Sequence, residues 1–239
     1  MFLVATLPAS VAWQHLVVPY TKVLSFGVQA RAFEGSIWDG RAYISFRHLE
    51  GVLEWNVLPK GLISGTLPIE LELQSSAGKL TSSAELGLEV QKLNVRSIEL
   101  ALEPLNVFTK VQRVSVSGDV FGKNVELVVR DNKVESASGS FTWSGGPVVY
   151  PAGRDLHERI LPPFSGRITT ESPYEVRLGI RDQDASFDIM SGSINAQGDG
   201  LWEVTRRLLD IADEPWSPNS KETDVVFKVK KPIYSRLLQ

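Results

Sequence analysis

The sequence predicts a mainly β protein: a large, strongly curved antiparallel sheet with one helix near its C-terminus. Two observations predict this fold. Apolar and polar residues alternate with a period of two along most of the chain, the pattern of strands with one buried face. A Ser-Gly-x-apolar sequence recurs where successive strands begin or bend, which suits a twisted sheet. Three forms of the sheet stay open: an open groove, a sandwich and a partly closed barrel.

The N-terminal element is a short apolar segment, Phe2 to Leu7, followed by Pro8 and without a basic region before it. It is far shorter than the roughly 20 residues that a spanning helix needs. Two interpretations follow. The segment is the end of a transmembrane helix whose start is missing, with Trp13 and Tyr20 in an aromatic belt, or it is an ordinary buried strand or helix.

The clearest strands are residues 63–74 and 79–90, which alternate on either side of the turn at residues 75–78 and are predicted to form a hairpin. Shorter alternating runs predict the other strands: 42–46, 53–57, 98–102, 114–116, 125–129, 174–180 and 225–229. The Ser-Gly element lies at 64–65, 117–118, 138–139, 165–166 and 191–192, with a near copy at 34–37. It is interpreted as a repeated strand-start unit; the alternative is that serine and glycine simply mark turns.

The predicted helix covers residues 201–212, where apolar residues at 201, 204, 208, 211 and 212 form one stripe. Asp199-Gly200 precede it and Pro215 follows it. The sheet still has an apolar face of about ten strands, each with about three side chains worth roughly 1.5 to 3 kcal/mol when buried. The sheet itself, the helix, a partner protein or lipid must cover that face.

Composition excludes several classes of function. Of 239 residues, 43% are apolar and 22% charged, so the chain is expected to fold as a globular protein. The net charge is −3, and no Lys/Arg run is long enough to follow a phosphate backbone, so no nucleic acid is expected as a partner. The chain has no cysteine, which excludes disulfides, thiolate zinc sites and cysteine nucleophiles.

No residue set predicts catalysis, a metal or a cofactor. His15, His48 and His157 stand apart in the sequence, without a second ligand at metal spacing, and are interpreted as surface or interface residues. Residues 182–188 begin like a calcium loop but lack its later glycine and glutamate, so a polar hairpin tip is predicted. There is no nucleophile elbow, and the glycine pair at 145–146 precedes no phosphate-loop lysine.

Six short stretches, taken in order and spacing, resemble one family. They are residues 7–13, 35–42, 55–59, 145–148, 161–166 and 198–202, and the Gly-x-x-Trp-x-Gly-x-Ala element at 35–42 is the most specific. Over nearly the whole chain they resemble the N protein of the bacterial type II secretion system. The family also resembles the AsmA-like proteins, whose curved β-sheets line apolar grooves.

The resemblance implies a single-pass protein of the cell inner membrane with its β domain in the periplasm. Residues 1–18 are then the end of a truncated transmembrane anchor with its juxtamembrane segment, and residues 19–239 are the periplasmic β domain. The implied function is non-enzymatic: a component of the secretion machinery that contacts other inner-membrane and periplasmic subunits. The alternative is an AsmA-like groove that binds lipid and serves envelope maintenance.

Five residues are predicted to be structural or to contact a partner. Gly35 and Gly40 allow a tight bend, and Trp38 between them closes the membrane-proximal end of the sheet; in the rival interpretation Trp38 is an exposed hot spot for a partner. Asp39 is expected to accept backbone hydrogen bonds in the turn. Trp55 and Trp202 complete the set.

Overall fold

The computed structural model describes residues 8–12, 14, 29–46, 48–59, 65–87, 89–131 and 133–232. The strands are β1 (Gln29–Gly35), β2 (Asp39–Phe46), β3 (Leu49–Val57), β4 (Leu67–Ser75), β5 (Gly78–Leu86), β6 (Val90–Ala101), β7 (Ser115–Val116), β8 (Asp119–Arg130), β9 (Lys133–Trp143), β10 (Gly146–Ala152), β11 (Asp155–Leu161), β12 (Phe164–Ser172), β13 (Glu175–Arg181), β14 (Met190–Ile194), β15 (Asp199–Thr205) and β16 (Val225–Pro232). The helices are α1 (Ala9–Ala12), α2 (Arg206–Ile211) and two 3-10 helices, Glu103–Phe108 and Lys110–Gln112.

Thirteen strands form one antiparallel sheet in the order β1-β2-β3-β4-β5-β6-β8-β9-β12-β13-β14-β15-β16. The sheet does not close, because β1 and β16 stand at its two edges. Strands β7, β10 and β11 leave this order and form a small second sheet, β11-β10-β7. The predicted fold class, mainly β with a large antiparallel sheet and one C-terminal helix, is therefore confirmed, and the large sheet is open.

The large sheet has one apolar and one polar face, because each strand places neighbouring residues on opposite sides. A row of cross-strand partners crosses all thirteen strands on the first face, and we call it the apolar row: Phe33, Ala42, Leu53, Leu73, Leu80, Ile98, Gly122, Phe141, Gly166, Ile180, Met190, Val204 and Phe227.

The adjacent residues form the polar row on the other face: Glu34, Arg41, Glu54, Glu72, Thr81, Ser97, Lys123, Ser140, Arg167, Gly179, Ser191, Glu203 and Lys228. Both rows keep their register across every strand of the sheet. The alternation along each strand therefore makes the whole sheet amphipathic.

Two cores cover parts of the apolar face. Near β1, buried Ala42, Trp55, Val57 and Ile69 pack with Ala9 of α1. Toward the other end, the buried residues Trp143, Phe164 and Ile189 pack against apolar residues of the small sheet and of α2, namely Val116, Val148, Leu161, Leu208 and Ile211. The small sheet and α2 thus give this half a second layer, while much of the apolar row lies outside both cores.

The predicted helix at 201–212 is wrong in its first half. Residues Leu201 to Thr205 belong to β15, and only Arg206–Ile211 are helical. This segment has a period-two pattern as well as a helical one, and Trp, Val and Thr favour strands. Strands β14 and β16 supply backbone hydrogen-bond partners on both sides, so residues 201–205 form a strand instead of a helix.

The hairpin predicted around residues 75–78 is confirmed, since β4 pairs with β5 from Leu67↔Leu86 to Ser75↔Gly78. Strand β5 ends at Leu86, earlier than the alternation predicted. The N-terminal predictions on Phe2 to Leu7, Trp13, His15 and Tyr20 lie outside the described residues. Within the described ranges, no helix has the length and apolar content needed to span a membrane.

Candidate interaction surface

The turn between β1 and β2, together with the strand ends on either side of it, carries three of the five residues singled out in the sequence. Gly35 adopts a φ of 84°, which glycine reaches without strain. The Ser36 N–H donates to the Asp39 carbonyl at 2.7 Å. The Ser36 hydroxyl accepts the N–H groups of Trp38 and Asp39 at 3.2 and 3.3 Å. The side chain that accepts these turn hydrogen bonds is therefore Ser36, where the sequence predicted Asp39.

Gly40 lies within β2, and its role differs from that of Gly35. A Cβ atom at Gly40 would lie 2.7 Å from Cζ2 of Trp55 and 2.8 Å from the Ser36 carbonyl oxygen, so the missing side chain makes room for the indole. Trp55 is buried, and its Nε1 donates to the Ile37 carbonyl at 3.3 Å. Trp38 is partly buried and packs against the same core. The structure thus brings Gly35, Trp38, Gly40 and Trp55 together at one corner of the sheet.

The arrangement of a glycine under an aromatic ring recurs at the opposite end. Gly192 of β14 pairs with Trp202 of β15, and a Cβ atom at Gly192 would lie 2.7 Å from the indole. Trp202 therefore stands on a strand, where the sequence placed it in the helix. Such pairs let an aromatic side chain cover the backbone of a strand glycine. The five singled-out residues consequently divide into two groups at opposite ends of the sheet, four near β1 and Trp202 near β16.

Trp202 belongs to an exposed group that the sequence did not single out. Trp202, Trp216, Phe227 and Val229 are each between 39% and 49% exposed, and we call them the aromatic patch. The Trp216 and Phe227 ring centroids are 5.4 Å apart. The alternation at 225–229 predicted a strand, but alternation does not tell an edge strand from a central one. Exposed aromatic residues of this kind are enriched at protein interfaces.

A cluster around Glu214 ties the small sheet to the segment that follows α2. The Glu214 carboxylate, on a side chain only 12% exposed, accepts the Tyr150 hydroxyl at 2.6 Å and lies 2.7 Å from His157 Nδ1. Arg159 Nη2 is 3.4 Å from the same oxygen, and its Nε donates to the Ala212 carbonyl at 2.7 Å. His157, predicted as a surface or interface residue, therefore lies at the contact between two elements of this chain.

The Glu214 cluster also shifts the pKa of two of its members. The hydrogen bond from Tyr150, and after it that from His157, holds the pKa of the Glu214 carboxyl below its ordinary value. Burial, together with the hydrogen bond to Glu214, raises the pKa of Tyr150 to about 12. Both groups therefore keep their ordinary charge near neutral pH, and the cluster holds the two elements together.

The acidic stretch 182–188 forms the loop between β13 and β14, and arginines hold its carboxylates. Asp182 is buried, lies 2.9 Å from Arg207 Nε and accepts the Ala185 N–H at 2.5 Å. Asp188 lies 2.7 Å from Arg181 and 3.4 Å from Arg177. In the part of the chain that the structure describes, no three His, Asp or Glu side chains are grouped to hold a metal ion.

The polar face carries two recesses of different charge. The first, of about 650 Å³, is lined by five carboxylates and two arginines: Glu34, Asp39, Glu54, Glu70, Glu72, Arg41 and Arg96. The second, of about 580 Å³, is lined by Lys123, Arg167 and Arg181 against the single carboxylate of Glu99. The polar face is thus acidic toward β1 and basic in its middle.

These features place the chain in a class of proteins: open antiparallel β proteins whose single large sheet is apolar on one face and charged on the other. The chain belongs to the protein N family of the type II secretion system, whose family model matches residues 26–215. The match runs from just before β1 to the segment after α2, and it confirms the resemblance seen in the sequence. Comparison with curated proteins and with solved structures finds no match.

Proposed function

We propose that this protein is a non-enzymatic component of type II secretion, anchored in the inner membrane, whose periplasmic sheet contacts other subunits and supports export of folded proteins across the outer membrane. The observation that carries the proposal is the family match over residues 26–215, which makes the chain a type II secretion component. The membrane anchor, the periplasmic location and the contacts with other subunits go beyond the family match and belong to the proposal.

The surface supports a binding role. An open sheet leaves two edge strands, and edge strands offer backbone groups to partner strands. The aromatic patch lies at one edge of the sheet, with Trp202 on β15 and Phe227 and Val229 on the edge strand β16. Trp216, outside the strands, packs against Phe227. Exposed aromatic side chains beside free backbone groups supply the two parts of a β-strand interface: apolar contact and hydrogen bonds.

The test is to purify the tagged, full-length protein from its own host in mild detergent and to identify the proteins that elute with it. Inner-membrane secretion subunits in a fixed ratio support the proposal. A chain that elutes without any of them overturns it. In parallel, deletion of the gene is expected to reduce secretion of folded exoproteins, and a plasmid copy should restore it; undiminished secretion in a host that depends on the system contradicts the supporting role.

The second candidate function, lipid binding along the apolar face, has an observation of its own. The apolar row continues through all thirteen strands, and its central members Leu73, Leu80 and Ile98 lie outside both cores and are only partly buried. A face of this kind can take acyl chains.

Lipid analysis of the same detergent eluate separates the two functions. Stoichiometric phospholipid without secretion subunits favours the lipid groove. Leu80→Glu places a charge on the apolar row and should abolish lipid retention, whereas Thr81→Glu, one residue away on the polar row, should leave it unchanged. If both variants retain lipid equally, the lipid does not bind on the apolar face.

A further inference from the structure

Strand β16 is the last strand of the sheet in the part of the chain that the structure describes. It pairs with β15 from Asp199↔Pro232 to Thr205↔Val225, and among the described strands it has no neighbour on its other side. In an edge strand, the N–H and C=O groups of alternate residues point away from the sheet and can bind a further strand. The backbone of β16 can therefore template such a strand.

The two faces of β16 differ in chemistry. On one face, Phe227 and Val229 continue the apolar side and join the aromatic patch. On the other face, Lys228 and Lys230 are 62% and 70% exposed. They lie 2.8 Å from Glu203 and 3.4 Å from Asp199 of β15, and exposed pairs of this kind are weak. The strand itself contains no acidic residue.

This charge pattern disfavours a second copy of the chain as the occupant. When two β16 strands pair antiparallel with Val229 opposite Val229, Lys228 of each faces Lys230 of the other. Like charges directly opposite one another destabilise a strand pair, and edge lysines are a common protection against self-association. A strand with acidic residues at alternate positions is attracted instead of repelled, because its carboxylates lie beside the two lysines.

We propose that β16 docks an extended segment of a partner protein in which apolar and acidic residues alternate, and that this segment becomes the fourteenth strand of the sheet. Its apolar side chains pack on the aromatic patch, and its carboxylates face Lys228 and Lys230. The inference rests on the proposed function, since it takes the partner to be another secretion subunit. It adds the place of contact and the chemistry of the partner.

The direct test uses the full chain and a synthetic peptide as long as β16 in which valine and glutamate alternate. Hydrogen exchange followed by mass spectrometry is expected to show that this peptide slows exchange in residues 225–232, while exchange at the β1 edge stays unchanged. A peptide of alternating valine and lysine serves as the probe of opposite charge. Lack of protection in 225–232 overturns the proposal, as does equal protection by both peptides or dimerisation of the chain through β16.

Two variants test the charges. Lys228→Glu combined with Lys230→Glu should weaken binding of the valine–glutamate peptide by about tenfold and strengthen that of the valine–lysine peptide, because two attractive cross-strand pairs become repulsive. Since the reversal also places glutamates beside Glu203 and Asp199, the neutral pair Lys228→Gln and Lys230→Gln provides a milder variant with a smaller loss. Lys123→Glu, on central strand β8 of the same polar face, is the matched control and should change neither affinity.

Co-purification from the host separates this inference from the proposed function. If the charge-reversed variant, Lys228→Glu with Lys230→Glu, folds but loses a secretion subunit that the wild type and the Lys123→Glu control retain, both proposals stand. If the variant retains every subunit, the edge proposal fails while the function stands. If the wild type itself elutes without secretion subunits, the proposed function fails, and the peptide experiment alone decides whether β16 accepts an acidic strand.

Discussion

Replacing Gly192 by alanine is expected to have opposite effects with and without the indole of Trp202. In the wild type, the new Cβ lies 2.7, 2.9 and 3.0 Å from three atoms of the Trp202 ring, closer than carbon atoms pack. The indole must move, and overpacking of this kind costs about 1 to 3 kcal/mol. Alanine also removes the conformational freedom of a strand glycine, which stabilises by about 0.5 to 1 kcal/mol.

The change in the free energy of unfolding is the difference between the overpacking cost and the glycine-to-alanine gain. Because the partly exposed indole can shift, the lower half of the overpacking range, about 1 to 2 kcal/mol, applies, and Gly192→Ala should destabilise the wild type by about 0 to 1.5 kcal/mol. In a Trp202→Ala background the clash is gone, so the same change should stabilise by about 0.5 to 1 kcal/mol. The coupling energy of the double-mutant cycle is then about 1 to 2 kcal/mol.

The assay is urea unfolding followed by far-ultraviolet circular dichroism, which does not depend on the removed tryptophan. Gly122→Ala on β8 is the control, since its Cβ would lie 3.5 Å or more from Ile98, and it should stabilise by about 0.5 to 1 kcal/mol. A coupling energy near zero between Gly192 and Trp202 would show that the indole does not cover this glycine, and would refute the placement of Trp202 on β15.

Three further predictions concern stability. Trp55→Ala should lower the free energy of unfolding by about 3 to 5 kcal/mol, because a buried indole leaves a cavity, and urea unfolding measures it; a loss as small as that of an exposed residue contradicts the N-terminal core. Gly35→Ala should cost about 1 to 2 kcal/mol, since alanine disfavours a φ of 84°; an unchanged midpoint contradicts this turn. The pKa of Glu214 is lowered, so the carboxylate contributes stability above its ordinary pKa that is lost as pH falls through the lowered value. Glu214→Gln should flatten that acid limb of melting temperature against pH, and an unaltered acid limb would show that the pKa of Glu214 is not shifted.

Most of the architecture could be predicted from local patterns. The alternation at residues 63–74 and 79–90 predicted a hairpin and the residues that face inward, and β4 and β5 form this hairpin within the large sheet. The same local rule fails at Leu201–Thr205, because the pattern of this segment fits both a helix and a strand. Its secondary structure depends on tertiary contacts, and here the segment pairs with β14 and β16 in the sheet. Likewise, the sequence predicted a structural role for Gly40 in a bend, but the structure shows that a glycine is needed there because the indole of Trp55 on the next strand fills the space of a side chain.

The sequence by itself determined the amphipathic character of each strand, the existence of a C-terminal helix and the membership of the family, since these depend on residue types at short spacing. The tertiary structure decided which strands end the sheet, that β7, β10 and β11 form a separate layer, and that Glu214 meets Tyr150 and His157 from more than fifty positions away. The physical reason is that backbone hydrogen bonds are the same for every pair of strands, so they do not select which strands become neighbours. The pairing order, and with it the position of β16 at the edge of the described sheet, therefore depends on contacts between distant parts of the chain.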